Sequence, residues 1–98
     1  MNSQDAIAIL RQHADTLRAR GVRHAALFGS LARGEAGPAS DTDILIELDS
    51  DVSFNVFGYV GLKTYIEQLF PGGVDVVNRA ALKPYLRQPV AADALYAF

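Results

Sequence analysis

Apolar residues recur along this chain with two alternating periods. Ile7, Leu10, Ala14 and Leu17 fall at spacings 0, 3, 7 and 10, one face of a 3.6-residue period, so residues 3–20 are predicted to be a helix. Asn2 or Ser3 can cap its start, and Gly21 stands where a left-handed C-terminal residue belongs. "VRHAALF", 22–28, reads as a short buried strand. A short helix is expected over 30–35, with "EAGPAS" as a loop. "DTDILIEL", 41–48, alternates: Asp41, Asp43, Leu45 and Glu47 share one face, and Thr42, Ile44, Ile46 and Leu48 the other.

"DSDVS" is then a turn, and Ser53 can cap a second long helix over 54–70. Tyr59, Leu62, Ile66 and Leu69 repeat the 0, 3, 7, 10 stripe, and Pro71-Gly72-Gly73 ends it. This helix also carries Phe54, Phe57, Tyr65 and Phe70, more apolar surface than one stripe accounts for, which suggests a docking surface. "VDVVN", 74–78, is a third strand, with Asp75 between Val74 and Val76, which face the other way. A last helix over roughly 84–96 closes the order αβαβαβα, an α/β fold with a small sheet covered by helices in one domain, 1–98.

Composition narrows the class. Half of the 98 residues are apolar, enough for a modest packed core. No run approaches the roughly 18 apolar residues of a membrane span. The first ten residues lack the basic and cleavage-site features of a signal peptide. There are no cysteines, which excludes disulfides and thiolate metal sites and fits a reducing cytoplasm. The formal net charge is −2 and the nine basic residues are scattered. A nucleic-acid backbone is therefore a poor match as direct ligand, although a mononucleotide fits.

The candidate chemistry lies in two short stretches. Asp41 and Asp43 point to one side of a strand, their Cα atoms about 6.5–7 Å apart. Two bare carboxylates that close repel, and a divalent cation removes the conflict. Oxygen ligands favour Mg²⁺ or Mn²⁺ over zinc. Asp75 is a third acid, and it joins the other two if its strand is their neighbour. Gly29-Ser30 follows a strand and opens a helix, where free N–H groups, a close-approaching backbone and a hydroxyl suit phosphate. A phosphate cradle facing a metal site is what transfer from a nucleoside triphosphate requires.

Gly29-Ser30, ten residues, then Asp41-x-Asp43 resembles the signature of the polymerase-beta-type nucleotidyltransferase superfamily. "FGSLARGEA", "SDTDILIEL", "VDVV" and "ALKPYLRQPVAADALYAF" are similar to its minimal nucleotidyltransferase (MNT) branch, the antitoxin half of HEPN/MNT toxin–antitoxin pairs. The resemblance spans essentially the whole chain. It implies that Asp41, Asp43 and Asp75 bind two Mg²⁺ ions, with Asp75 helping to deprotonate the attacking hydroxyl. Gly29 and Ser30 would hold the triphosphate of ATP. The reaction implied is transfer of AMP to a tyrosine of a cognate HEPN ribonuclease toxin in the cytoplasm. So small a core leaves little wall for an acceptor, which also points to a protein partner. Two rival readings are an antitoxin acting by occlusion alone and a homodimeric transferase acting on a small molecule.

Other polar residues read less sharply. Arg33 can reach a phosphate or pair with Glu35. Glu47 lies about 13 Å along the strand from Asp43 and reads as a strand-end charge. Asp49 and Asp51 read as turn residues, and His13 and His24 as solvated or hydrogen-bonded. Lys83, Tyr85 and Arg87 could touch a base or the partner.

Overall fold

A computed structural model of the chain describes residues 2–34 and 42–98, with the side chain of Ser30 outside the description. Helices α1 (Ser3–Gln12) and α2 (Ala14–Ala19) lead into strand β1 (Val22–Phe28) and a single helical turn, α3 (Gly29–Ala32). Strand β2 (Thr42–Leu48), helix α4 (Val56–Gln68) and strand β3 (Val74–Asn78) follow. A 3₁₀ turn (Arg79–Ala81), helix α5 (Pro84–Asp93) and a two-residue strand β4 (Leu95–Tyr96) complete the order. The sheet runs β3-β2-β1-β4, with β2 and β3 parallel and β1 antiparallel to both β2 and β4. It is a small mixed sheet flanked by helices, the class the periodicity predicts. Among the described residues no helix is long and apolar enough to cross a membrane.

One face of the sheet carries the main core. Ala25 and Leu27 of β1, Ile44 and Ile46 of β2 and Val76 of β3 pack there against Ala6, Leu10, Leu17, Leu62 and Ile66 of the helices. Leu10, Leu17, Leu62 and Ile66 of the predicted stripes all lie in this layer. The opposite face also buries Ala26 and Leu45, which is why β2 is more apolar than strict alternation requires.

Several local details differ from the sequence expectation. The predicted 3–20 helix bends at His13, whose N–H is shared between the carbonyls of Ile9 and Leu10 at 3.3 and 3.2 Å, a tightened turn. Of its two expected caps the helix uses Asn2, whose side chain accepts from the Asp5 N–H at 2.8 Å. Helix α4 begins at Val56 rather than 54. Its cap is Asn55, not Ser53, because the Asn55 side chain accepts from the Gly58 N–H at 2.7 Å. Phe54 stays outside the helix and lies over Gly21, whose φ is +97° and where a Cβ would crowd the Phe54 ring and the Val52 side chain. The short helix after β1 covers 29–32 instead of 30–35, and the expected loop 35–40 lies outside the described residues.

The last helix stops at Asp93 rather than continuing to 96. Leu95 and Tyr96 instead pair with Leu27 and Ala26, and the Ala97 N–H donates to the Ala25 carbonyl at 2.8 Å. Without them β1 would be an open edge. Arg11 anchors this end by donating from Nε to the Ala97 carbonyl at 2.9 Å, and the Arg18 guanidinium lies 4.7 Å from the centre of the Phe98 ring. Helix α4 leaves Val56, Phe57 and Val60 exposed, Phe57 at 87%, beside a groove of about 430 Å³ lined by Val52, Phe54 and Tyr59.

Candidate active site

Strands β2 and β3 run parallel in the register Asp43↔Asp75 and Ile44↔Val76. Register partners on adjacent strands share a sheet face, and the strands lie about 4.8 Å apart. Ile44 and Val76 both point into the core, so Asp43 and Asp75 both point to the other face. Asp75 is exposed and Asp43 half-buried. Asp41 lies outside the described residues, so the expected third acid has no described position. Among the described residues alone, no three acidic or histidine side chains gather as a metal centre.

On the other side of β2 the register Phe28↔Asp43 puts the end of β1 level with the same carboxylate. The chain then turns at Gly29 with φ +73° and enters α3. A Cβ on Gly29 would overlap a carboxylate oxygen of Asp43. The Gly-Ser turn and the two described acids therefore meet at one end of the sheet. The backbone of Ser30 belongs to α3, while its hydroxyl is not described.

Several of the other polar candidates have partners of their own. Arg33 forms an ion pair with Asp93 of α5 at 4.0 Å, a partner 60 residues away that local sequence offers no means of finding. Glu47 accepts a hydrogen bond from the Tyr96 hydroxyl at 3.1 Å. Burial, and then that hydrogen bond, raises the Tyr96 hydroxyl above its ordinary 10.0; burial alone raises Tyr59. His24 Nδ1 lies 3.3 Å from the Phe98 carbonyl, and His13 Nδ1 3.5 Å from the Tyr65 hydroxyl. Asp49 closes a turn by accepting from the Asp51 N–H at 3.1 Å. Arg87 donates to the carbonyls of Leu82 and Ala80, both at 3.1 Å, bracing the start of α5. A cleft of about 370 Å³ between Glu47, Asp49, Arg79 and Arg87 lies at the far ends of β2 and β3, away from the acids.

A parallel strand pair that aligns two acids beside a Gly-Ser turn, on a four-stranded mixed sheet, defines the class. The nucleotidyltransferase domain model matches residues 10–96, and the chain belongs to that family. The protein adenylyltransferase MntA of Thermococcus cleftensis is 37% identical over 90 residues, covering 91% of this chain and 89% of the relative. A solved structure assigned as a minimal nucleotidyltransferase superposes with a TM-score of 0.79 at 29% identity, covering 97% of this chain and 95% of that one. The tri-AMPylated HEPN toxin of Shewanella oneidensis in complex with MNT antitoxin contains a chain of the same fold. Its TM-score is 0.62 at 17% identity, over 94% of this chain and 71% of that one.

Proposed function

We propose that this chain is an antitoxin that transfers AMP from ATP to a tyrosine hydroxyl of a cognate HEPN-family toxin. The observation that carries the reading is the shared rung of Asp43 and Asp75 beside Gly29. The relatives add the acceptor class: one is named a protein adenylyltransferase, and a chain of the same fold occurs in a complex with an AMPylated HEPN toxin.

The donor set fits magnesium. Asp43 and Asp75 offer only carboxylate oxygens, converging on one face at an accessible end of the sheet. Asp41, two residues before Asp43, would join them on the pattern of strand alternation, and the three would hold two Mg²⁺ ions. Bound there, the ions would neutralise the charge that builds on the transferred phosphoryl group. Gly29 and Ser30 would hold the triphosphate. The tyrosine oxygen forms a bond to the α-phosphorus, the bond to the pyrophosphate oxygen breaks, and pyrophosphate leaves. Asp75, the exposed acid, would take the hydroxyl proton, directly or through a water.

The test combines the purified chain, its cognate toxin, ATP and Mg²⁺, and reads the intact mass of the toxin. The expected result is one or more AMP increments mapping to tyrosine. A toxin that is neutralised without any increment in mass overturns the transfer reading and leaves occlusion.

A further inference from the structure

Two glycines of this chain share one backbone conformation but not one environment. Gly29 has φ +73° and Gly34 φ +74°. Around Gly34 a Cβ would meet no described atom within 4 Å. At Gly29 it would overlap a carboxylate oxygen of Asp43, 3.1 Å from that residue's Cγ and 3.4 Å from its Cβ. A left-handed φ alone admits asparagine as well as glycine. The Asp43 contact admits a Cβ only if that carboxylate gives way. The register explains the contact: Phe28 is the partner of Asp43, so the first residue beyond β1 passes over that carboxylate as the chain turns into α3.

We infer that Gly29 is a positioning residue for Asp43, its bare Cα forming one wall of the space in which the carboxylate is held. This rests on the reading of Asp43 as a metal ligand given above, and assigns the glycine a task separate from holding phosphate. Any Cβ at position 29 pushes the Asp43 carboxylate off the rung it shares with Asp75, and the cation affinity of the pair falls. Groups that orient a ligand in this way typically change metal affinity about 10–100-fold when altered.

Two measurements test it on the full chain, with Mn²⁺ as the probe because its free ion is read directly by electron paramagnetic resonance. The variants are Gly29→Ala, Gly34→Ala, Asp43→Ala and the double variant Gly29→Ala/Asp43→Ala. Gly34→Ala reports the strain of the positive φ by itself. Gly29→Ala is expected to weaken Mn²⁺ binding by roughly tenfold or more, and Gly34→Ala to leave it unchanged. Thermal melting is the second readout. Gly29→Ala is expected to lower Tm more in the parent than in the Asp43→Ala background, where the obstructing carboxylate is gone.

If Gly29→Ala binds Mn²⁺ like the parent and its loss of Tm is the same in both backgrounds, the positioning role is overturned and the glycine serves phosphate or the turn alone. If the parent itself binds no Mn²⁺, the metal reading fails instead, and the melting comparison decides whether Gly29 positions Asp43. Should Gly29→Ala not fold while the double variant does, the same conclusion follows in its favour.

Discussion

Asp43 and Asp75 stand on one rung of the sheet, on adjacent parallel strands, although 32 positions separate them in the chain. Their flanking residues Ile44 and Val76 are locked in the core, so neither acid can change face without unpacking the sheet. The carboxylates thereby take their orientation from hydrophobic packing on the opposite side.

That origin predicts separable effects. Asp75 is exposed, so Asp75→Asn should alter stability by no more than about 0.5 kcal/mol. The same change should lower the rate of adenylyl transfer by more than ~100-fold, the upper range for disturbing a metal's surroundings. Urea melts and single-turnover rates on one preparation check both halves.

Truncation in the layer behind the acids should do the reverse. Leu62 and Ile66 are fully buried where α4 packs on the sheet. Leu62→Ala or Ile66→Ala should each cost about 2–5 kcal/mol. By contrast Phe57→Ser, on the exposed side of α4, should shift stability by less than about 0.5 kcal/mol. Denaturant midpoints at constant m-value measure all three.

The start of α4 gives a sharper local test. Asn55→Ala should cost about 1 kcal/mol through loss of the bond from the Gly58 N–H, while Ser53→Ala should cost nearly nothing. A larger cost at Ser53 than at Asn55 would place the cap at Ser53 instead.

Alkaline pH should weaken the fold through two tyrosines. Burial raises Tyr59 and Tyr96 above 10.0, and Glu47 raises Tyr96 further. The native state therefore keeps protons that the unfolded chain releases, so the unfolded state binds fewer protons above about pH 10 and stability falls as pH rises. The contribution is fully present below that value. Urea denaturation across this range should give a steeper decline for the parent than for the Tyr59→Phe/Tyr96→Phe variant.

Much of this was legible because it is periodic or local. The alternation around Asp43 and the valines flanking Asp75 assign faces without knowledge of the partner strand. The boundaries of "VRHAALF" and "VDVVN" match β1 and β3, the first bracketed by Gly21 and Gly29 and the second preceded by Gly72-Gly73. What sequence cannot supply is pairing between distant segments. The parallel register of Asp43 with Asp75 is set by packing across the sheet. The two-residue strand Leu95–Tyr96 is too short to show a period and exists because β1 offers it an edge. The pairing of Arg33 with Asp93 depends on where α5 comes to rest. Asn55 rather than Ser53 caps α4, and Phe54, which lies between them, sits against Gly21 of a distant segment.

The most direct test of the central claim compares toxin adenylylation by the parent with that by Asp43→Asn and Asp75→Asn, at matched folding and matched toxin binding. The account predicts AMP on the toxin with the parent and its loss with each variant. Undiminished transfer by Asp75→Asn would contradict it, since the shared rung would then have no part in the reaction.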